Sequence, residues 1–120
     1  MKIVPVRKGD DIRLRAFDFA CAVVRLCDQV AQRGFSARRL AAQLVDAGTS
    51  IGANLEEADG AQSRADFISK CTVSLKEARE SHYWLRVLVK TGKISDDHLL
   101  RECDQIVAIL TTIIRKTGGE

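Results

Sequence analysis

The sequence predicts an all-α fold, an up-down-up-down antiparallel four-helix bundle, and three observations carry that prediction. Apolar residues recur at helical spacing through four long segments, and no convincing strand pattern interrupts them. The single proline, Pro5, lies ahead of all four segments. Start and stop signals coincide with most segment ends, and the turns between them are short, which sets consecutive helices side by side in opposite directions.

The 120 residues read as one domain, preceded by a short basic arm from Met1 to Gly9. Helix one spans about 11–33, with Asp10 or Asp11 as its cap and Gly34 just past its end. Helix two spans about 37–60 and opens at Ser36, where Phe35 and Leu40 are placed to form a hydrophobic staple. Helix three spans about 64–91. Ser63 caps it, Asp66 follows three residues later as in a capping box, and Gly92 stops it. Helix four spans about 96–116, opening at Ser95 with Ile94 and Leu99 as a second staple, and ending in Lys116 ahead of Gly118.

The periodicity assigns a core stripe to each helix. Helix one offers Phe17, Cys21, Val24 and Ala31, and helix two offers Leu40, Leu44, Ala47, Ile51, Leu55 and Ala58. Helix three offers Phe67, Cys71, Ser74, Ala78, Leu85 and Leu88, and helix four offers Leu99, Cys103, Ile106, Leu110 and Ile113. Two helices carry a further apolar row: Phe19, Val23, Leu26 and Val30 on helix one, and Leu100, Val107 and Ile114 on helix four. Left in water, such rows form a patch that marks an interaction surface. They are therefore expected at the subunit contacts of a homo-oligomer; the alternative is a wide stripe in a thick core. Trp84, beside Val73, Glu77, Glu80 and Val87, suits either a subunit boundary or the core.

Composition excludes several classes. Apolar residues at 46% and charged residues at 29% are ordinary for a globular domain, and the net charge of +3 permits nucleic-acid contact without requiring it. Neither a signal peptide nor an apolar run near the ~20 residues of a membrane span is present, so a cytoplasmic location without membrane partners is expected. The four cysteines, Cys21, Cys27, Cys71 and Cys103, lack ligand spacing and read as small buried apolar groups rather than a metal set. No phosphate loop, Ser/His/Asp set or zinc signature occurs, and His82 and His98 stand alone. Neither enzymatic activity nor a cofactor is expected.

Helix two contains Gly48 and Gly52, each costing about 1 kcal/mol of helix propensity relative to alanine. Small residues at that spacing suit the close approach of another helix. The surrounding block, Ser50-Ile51-Gly52-Ala53-Asn54 with Glu57-Ala58, then Ser63-Arg64 with Asp66-Phe67, then Lys76-Glu77-Ala78 and Trp84-Leu85, resembles a known family. It is the four-helix-bundle family named for proteins encoded in intervening sequences of bacterial 23S ribosomal RNA genes. It is similar also to accessory proteins of diversity-generating retroelements. The motif covers about a third of the chain. Where the commoner form has a further glycine and a Gly-Arg, this chain has Asp59-Gly60-Ala61-Gln62, which places it in a subgroup. The resemblance implies a ring oligomer, a pentamer in known members, with association to nucleic acid or a reverse transcriptase.

Two polar features remain. Asn54, Glu57, Ser63, Arg64 and Glu77 are expected to converge near the turn between helices two and three, where Arg64 can bridge carboxylates. Such a cluster serves either as a polar site or, more simply, as a structural network fixing the turn. Lys76, Arg79, Tyr83, Arg86 and Lys90 follow i, i+3, i+7, i+10, i+14 and so share one face of helix three. Cations around an aromatic can track a phosphate backbone and stack a base, although a solvated helix face has the same composition. Arg38 and Arg39, with Lys2, Arg7 and Lys8, are further candidates for the same field, and the sequence does not place them on its side of the molecule. The expected function is a non-enzymatic oligomer that binds RNA or DNA, or a nucleic-acid enzyme. A protein-interaction scaffold without a nucleic-acid role is the alternative.

Overall fold

The computed structural model describes residues 10–118, which form four α-helices and no strand. α1 (Asp10–Val30) tightens into a 3-10 turn at Ala31–Arg33, followed by α2 (Phe35–Asp59), α3 (Arg64–Lys90) and α4 (His98–Thr117). The expected arm, with Lys2, Arg7 and Lys8, lies outside the described residues. Asp10 and Asp11, the two expected caps of α1, both lie within the helix.

The helices enclose one core. α2 packs broadly against α1 and α3, α3 packs against α4, and a narrower seam joins α1 to α4. Side-chain bonds tie these pairs together. Arg13 pairs with Glu56 at 2.8 Å and Asp59 at 3.5 Å, linking the start of α1 to the end of α2. Buried Ser74 donates to the Ile51 carbonyl at 2.9 Å between α3 and α2, and the Cys103 thiol donates to the Ala78 carbonyl at 3.2 Å between α4 and α3. Small residues at these crossings let the helices approach closely and bond directly.

Helix ends follow local chemistry. The Ser63 hydroxyl accepts from the Asp66 N–H at 3.0 Å, as the capping pattern predicts. α3 stops where Gly92 adopts φ +74°, with Lys93 N–H donating to the Leu88 carbonyl and Gly92 N–H to that of Val89, a Schellman closure. α2 begins at Phe35 rather than after Ser36. Gly34, at φ +134° and ψ −172°, turns the chain straight into the helix and leaves Phe35 72% exposed, so the staple with Leu40 does not form. α4 begins three residues later than Ser95, because the Asp96 carboxylate accepts from the His98 N–H at 2.7 Å and ends the loop there.

The core confirms the stripes of α2 and α3 and reverses that of α1. Phe19, Val23 and Val30 are buried, whereas Phe17 is 64% and Val24 40% exposed. Sequence spacing explains the choice. The row Ile12, Ala16, Phe19, Val23, Cys27, Val30 is apolar at every turn, while the row through Phe17, Cys21 and Val24 is broken at Asp28. Phe19, Val23 and Val30 are therefore bundle core in this chain and unavailable as an interface; Leu26 is half-buried against the same core. On α4, Leu100, Val107 and Ile114 are likewise half-buried against the core, and so are Leu99 and Ile113. A wide stripe, not a spare one, accounts for them. Trp84 also packs partly buried on the core.

The glycine strip of α2 faces α1. A Cβ on Gly48 would lie 3.0 Å from Val23 Cγ1, and one on Gly52 3.6 Å from Ala16. The two positions thus differ in room. Gly52→Ala is expected to raise stability by up to about 1 kcal/mol through helix propensity. Gly48→Ala adds an overpacking cost of about 1–3 kcal/mol against fully buried Val23. Urea denaturation of both variants checks the contrast; equal gains would mean that α1 does not press on Gly48.

Candidate nucleic-acid interface

α3 carries its small and apolar residues inward and its cations outward. Cys71, Ser74, Ala78, Ser81, Leu85 and Leu88 are buried, and Lys76, Arg79, Tyr83, Arg86 and Lys90 are exposed along the opposite side. The heptad-like spacing of both sets keeps each on its own face over the length of the helix. The Arg86 guanidinium lies 5.5 Å from the centroid of the Tyr83 ring, and Tyr83 meets Trp84 edge to face at 5.1 Å and 73°. The indole N–H donates to Glu80, one turn back on the same helix, at 3.1 Å.

Among the described residues, Lys76, Arg79, Arg86 and Lys90 take part in no ion pair, whereas other cations bridge helices. Arg15 pairs with Glu102 at 2.6 Å and Lys70 with Glu57 at 3.7 Å, while Arg101 holds Asp97 at 3.0 Å at the start of its own helix. The α3 face therefore keeps its positive charge open to solvent. Arg38 and Arg39 are exposed in the first turns of α2, with Arg39 6.0 Å from the Phe35 ring centroid.

A shallow cleft of about 330 Å³ opens between this face and α4, lined by Arg79, His82, Arg86, Asp104 and Val107. His82 Nε2 lies 2.6 Å from the Asp104 carboxylate. His82 stands isolated in the sequence because its partner is 22 residues away on another helix. The only local signal is that Arg79, His82 and Arg86 form an i, i+3, i+7 row of their own.

The five residues expected around the α2–α3 turn do not converge. Asn54 donates to the Ser50 carbonyl of its own helix at 2.8 Å, Glu57 meets Lys70, and Ser63 caps α3. Among the described residues Arg64 bridges no carboxylates; it donates to the Thr117 carbonyl, neutralising the exposed end of α4. Glu77 sits 14 residues beyond Ser63 on α3, about 20 Å along the axis, which removes it from the turn. The first four each serve a helix end or a pair of their own.

Glu77 has a different environment. Burial, and then the neighbouring Glu80, hold its carboxyl above the usual range; Lys76 opposes this and Asp46 adds to it. The folded chain thus holds the proton more tightly than the unfolded one. The associated stability is full below the unfolded carboxylate pKa and lost as pH rises through the raised one. Glu77→Gln is expected to flatten that fall in melting curves taken from about pH 4 to pH 8. Identical slopes in both proteins would remove Glu77 as its source.

The thiols are free. Burial pushes Cys27 up to about 11 and Cys103 up to about 12, so both remain protonated and pack as small apolar groups. Among the described residues, no three His, Cys, Asp or Glu side chains converge as metal ligands, and no helix is long and apolar enough to cross a membrane.

Known proteins share both the sequence pattern and the fold. Residues 10–112 match the model of a family described as 23S rRNA-intervening sequence protein. A crystal structure from Bacteroides thetaiotaomicron, of a protein with unknown function from the S23 ribosomal protein family, aligns with a TM-score of 0.80. It is 37% identical, and the alignment covers 87% of this chain and 98% of that one. No curated protein matches.

Proposed function

The chain belongs to the 23S rRNA-intervening sequence protein family, and from that premise we propose that it is a non-enzymatic oligomeric bundle that engages RNA or DNA through the basic face of α3. An enzyme acting on nucleic acid is a further ligand of the same surface. The observation that carries this reading is the unpaired row Lys76, Arg79, Arg86 and Lys90 around half-exposed Tyr83. Unpaired cations release counterions from a phosphate backbone, and an exposed ring offers a stacking platform.

The architecture we propose is an up-down-up-down antiparallel bundle in a cytoplasmic ring, taken as a pentamer from the resemblance in sequence. The Arg13–Glu56, Ser74–Ile51 and Arg64–Thr117 bonds support the antiparallel order, since each joins levels that coincide only when neighbouring helices reverse. Leu14, Phe17 and Val24, exposed on one side of α1, supply the apolar surface for subunit contact. That same patch favours the second reading, a protein scaffold without nucleic acid.

Fluorescence anisotropy with a labelled single strand separates the two. Affinity is expected to fall steeply with salt, by a log–log slope of about −0.7 for each phosphate neutralised. Charge reversal by Arg79→Glu with Arg86→Glu should weaken binding and shallow that slope without changing helicity. Unchanged binding in the double variant would remove the face from the account, and no binding by the native protein at low salt would leave the scaffold.

A further inference from the structure

The basic face is not uniform, and its concave part lies between α3 and α4, beside Asp104 and Val107. Arg79 and Arg86 stand two turns apart, about 10 Å along the helix, with His82 between them in the same row. Both guanidiniums are without an ion-pair partner among the described residues. A single group between them is within reach of either fork. We infer that this cleft is a phosphate subsite, in which one phosphoryl group of a nucleic-acid strand docks against the Arg79 and Arg86 guanidiniums, beside His82, while its neighbouring base stacks on Tyr83. The inference rests on the nucleic-acid reading above and fixes where along α3 the strand is held.

The chemistry of the lining fits an anion better than a cation. Two guanidiniums face one carboxylate, so the cleft is positive even with a neutral imidazole. Asp104 is itself committed: at 2.6 Å it accepts from His82 Nε2, which fixes the ring and places a proton on that nitrogen. His82 is 27% and Asp104 58% exposed, so the pair is open to a ligand rather than sealed in the core. Planar guanidinium forks match phosphate oxygens in pairs, which a lysine cannot do. Arginine stands at both cleft positions, and lysine at both ends of the row, Lys76 and Lys90, outside the cleft. Arg86 also lies over the Tyr83 ring, joining the phosphate position to the stacking position through one side chain.

The test compares neutral variants inside and outside the cleft. Arg79→Gln and Arg86→Gln are measured against Lys76→Gln and Lys90→Gln for binding a labelled single strand, with inorganic phosphate as competitor. Each cleft variant is expected to lose about ten-fold in affinity, the weight of one charge-assisted contact, and each outer variant much less. Phosphate titration should shift the His82 imidazole resonances of the native protein and leave those of His98 in place. Equal losses at all four positions would overturn the subsite while keeping the basic face. No loss at any of them, or no binding by the native chain, would overturn both. Comparing strands with 5′-hydroxyl and 5′-phosphate ends separates a backbone phosphate, bound equally in both, from a terminal one, bound only in the second.

Discussion

Phe19→Ala is expected to cost about 3–5 kcal/mol of folding stability, a large share of the 5–15 kcal/mol a domain of this size has in total. The side chain is 2% exposed and sits in the apolar row that α1 turns toward α2. Truncation removes a ring from water-free packing and leaves a cavity that the surrounding buried core cannot fill without moving. Phe17→Ala, two residues away, removes a ring that is 64% exposed and is expected to cost under about 1 kcal/mol within one chain. Urea denaturation followed by circular dichroism, at concentrations low enough to dissociate any assembly, measures both. Equal losses would mean that α1 buries its other face.

The second large effect concerns that other face. Phe17→Glu combined with Val24→Glu is expected to reduce the assembly to a 13.2 kDa chain that keeps its helical content. Leu14, Phe17 and Val24 are 52%, 64% and 40% exposed on one side of α1, an apolar area that a partner surface removes from water at about 25 cal/mol per Å². Two carboxylates placed there must be desolvated on association, which costs more than the apolar contact returns. Cys21, half-buried in the same row, reports the event independently. Its reaction with a thiol reagent should be slow in the assembly and fast in the variant, while buried Cys27, Cys71 and Cys103 react only on unfolding. An assembly of unchanged mass would assign subunit contact to a different surface.

The contrast between these phenylalanines shows how far a sequence specifies such a bundle. α2 and α3 were readable because several independent signals agree there. Ser63 and Asp66 close one end of α3, Gly92 the other, and each helix has a single apolar row. α1 has two rows that helical periodicity weighs almost equally, and the difference lies in one interruption, Asp28, and in the fit of Ala16 and Val23 to the glycines of α2. That fit is a property of two helices together. The start of α2 was displaced for a related reason, since the positive φ of Gly34 began the helix before the residues expected to cap it.

The candidate site divides in the same way. The cations and Tyr83 of α3 were found by spacing alone, because they occupy one helix and nothing in another is needed to align them. The cleft was not, because His82 and Asp104 meet across α3 and α4. The grouping of Asn54, Glu57, Ser63 and Arg64 with Glu77 loses Glu77 on distance. Proximity to a turn in sequence does not bring a residue 14 positions along a helix back to it.

Size exclusion with light scattering, recording the 260/280 nm absorbance ratio across the peak at low and moderate salt, tests the central claim most directly. The account predicts a mass of several 13.2 kDa chains, about five by the resemblance in sequence, carrying nucleic acid that salt removes while the assembly persists. A monomeric peak free of nucleic acid at every salt concentration would contradict it.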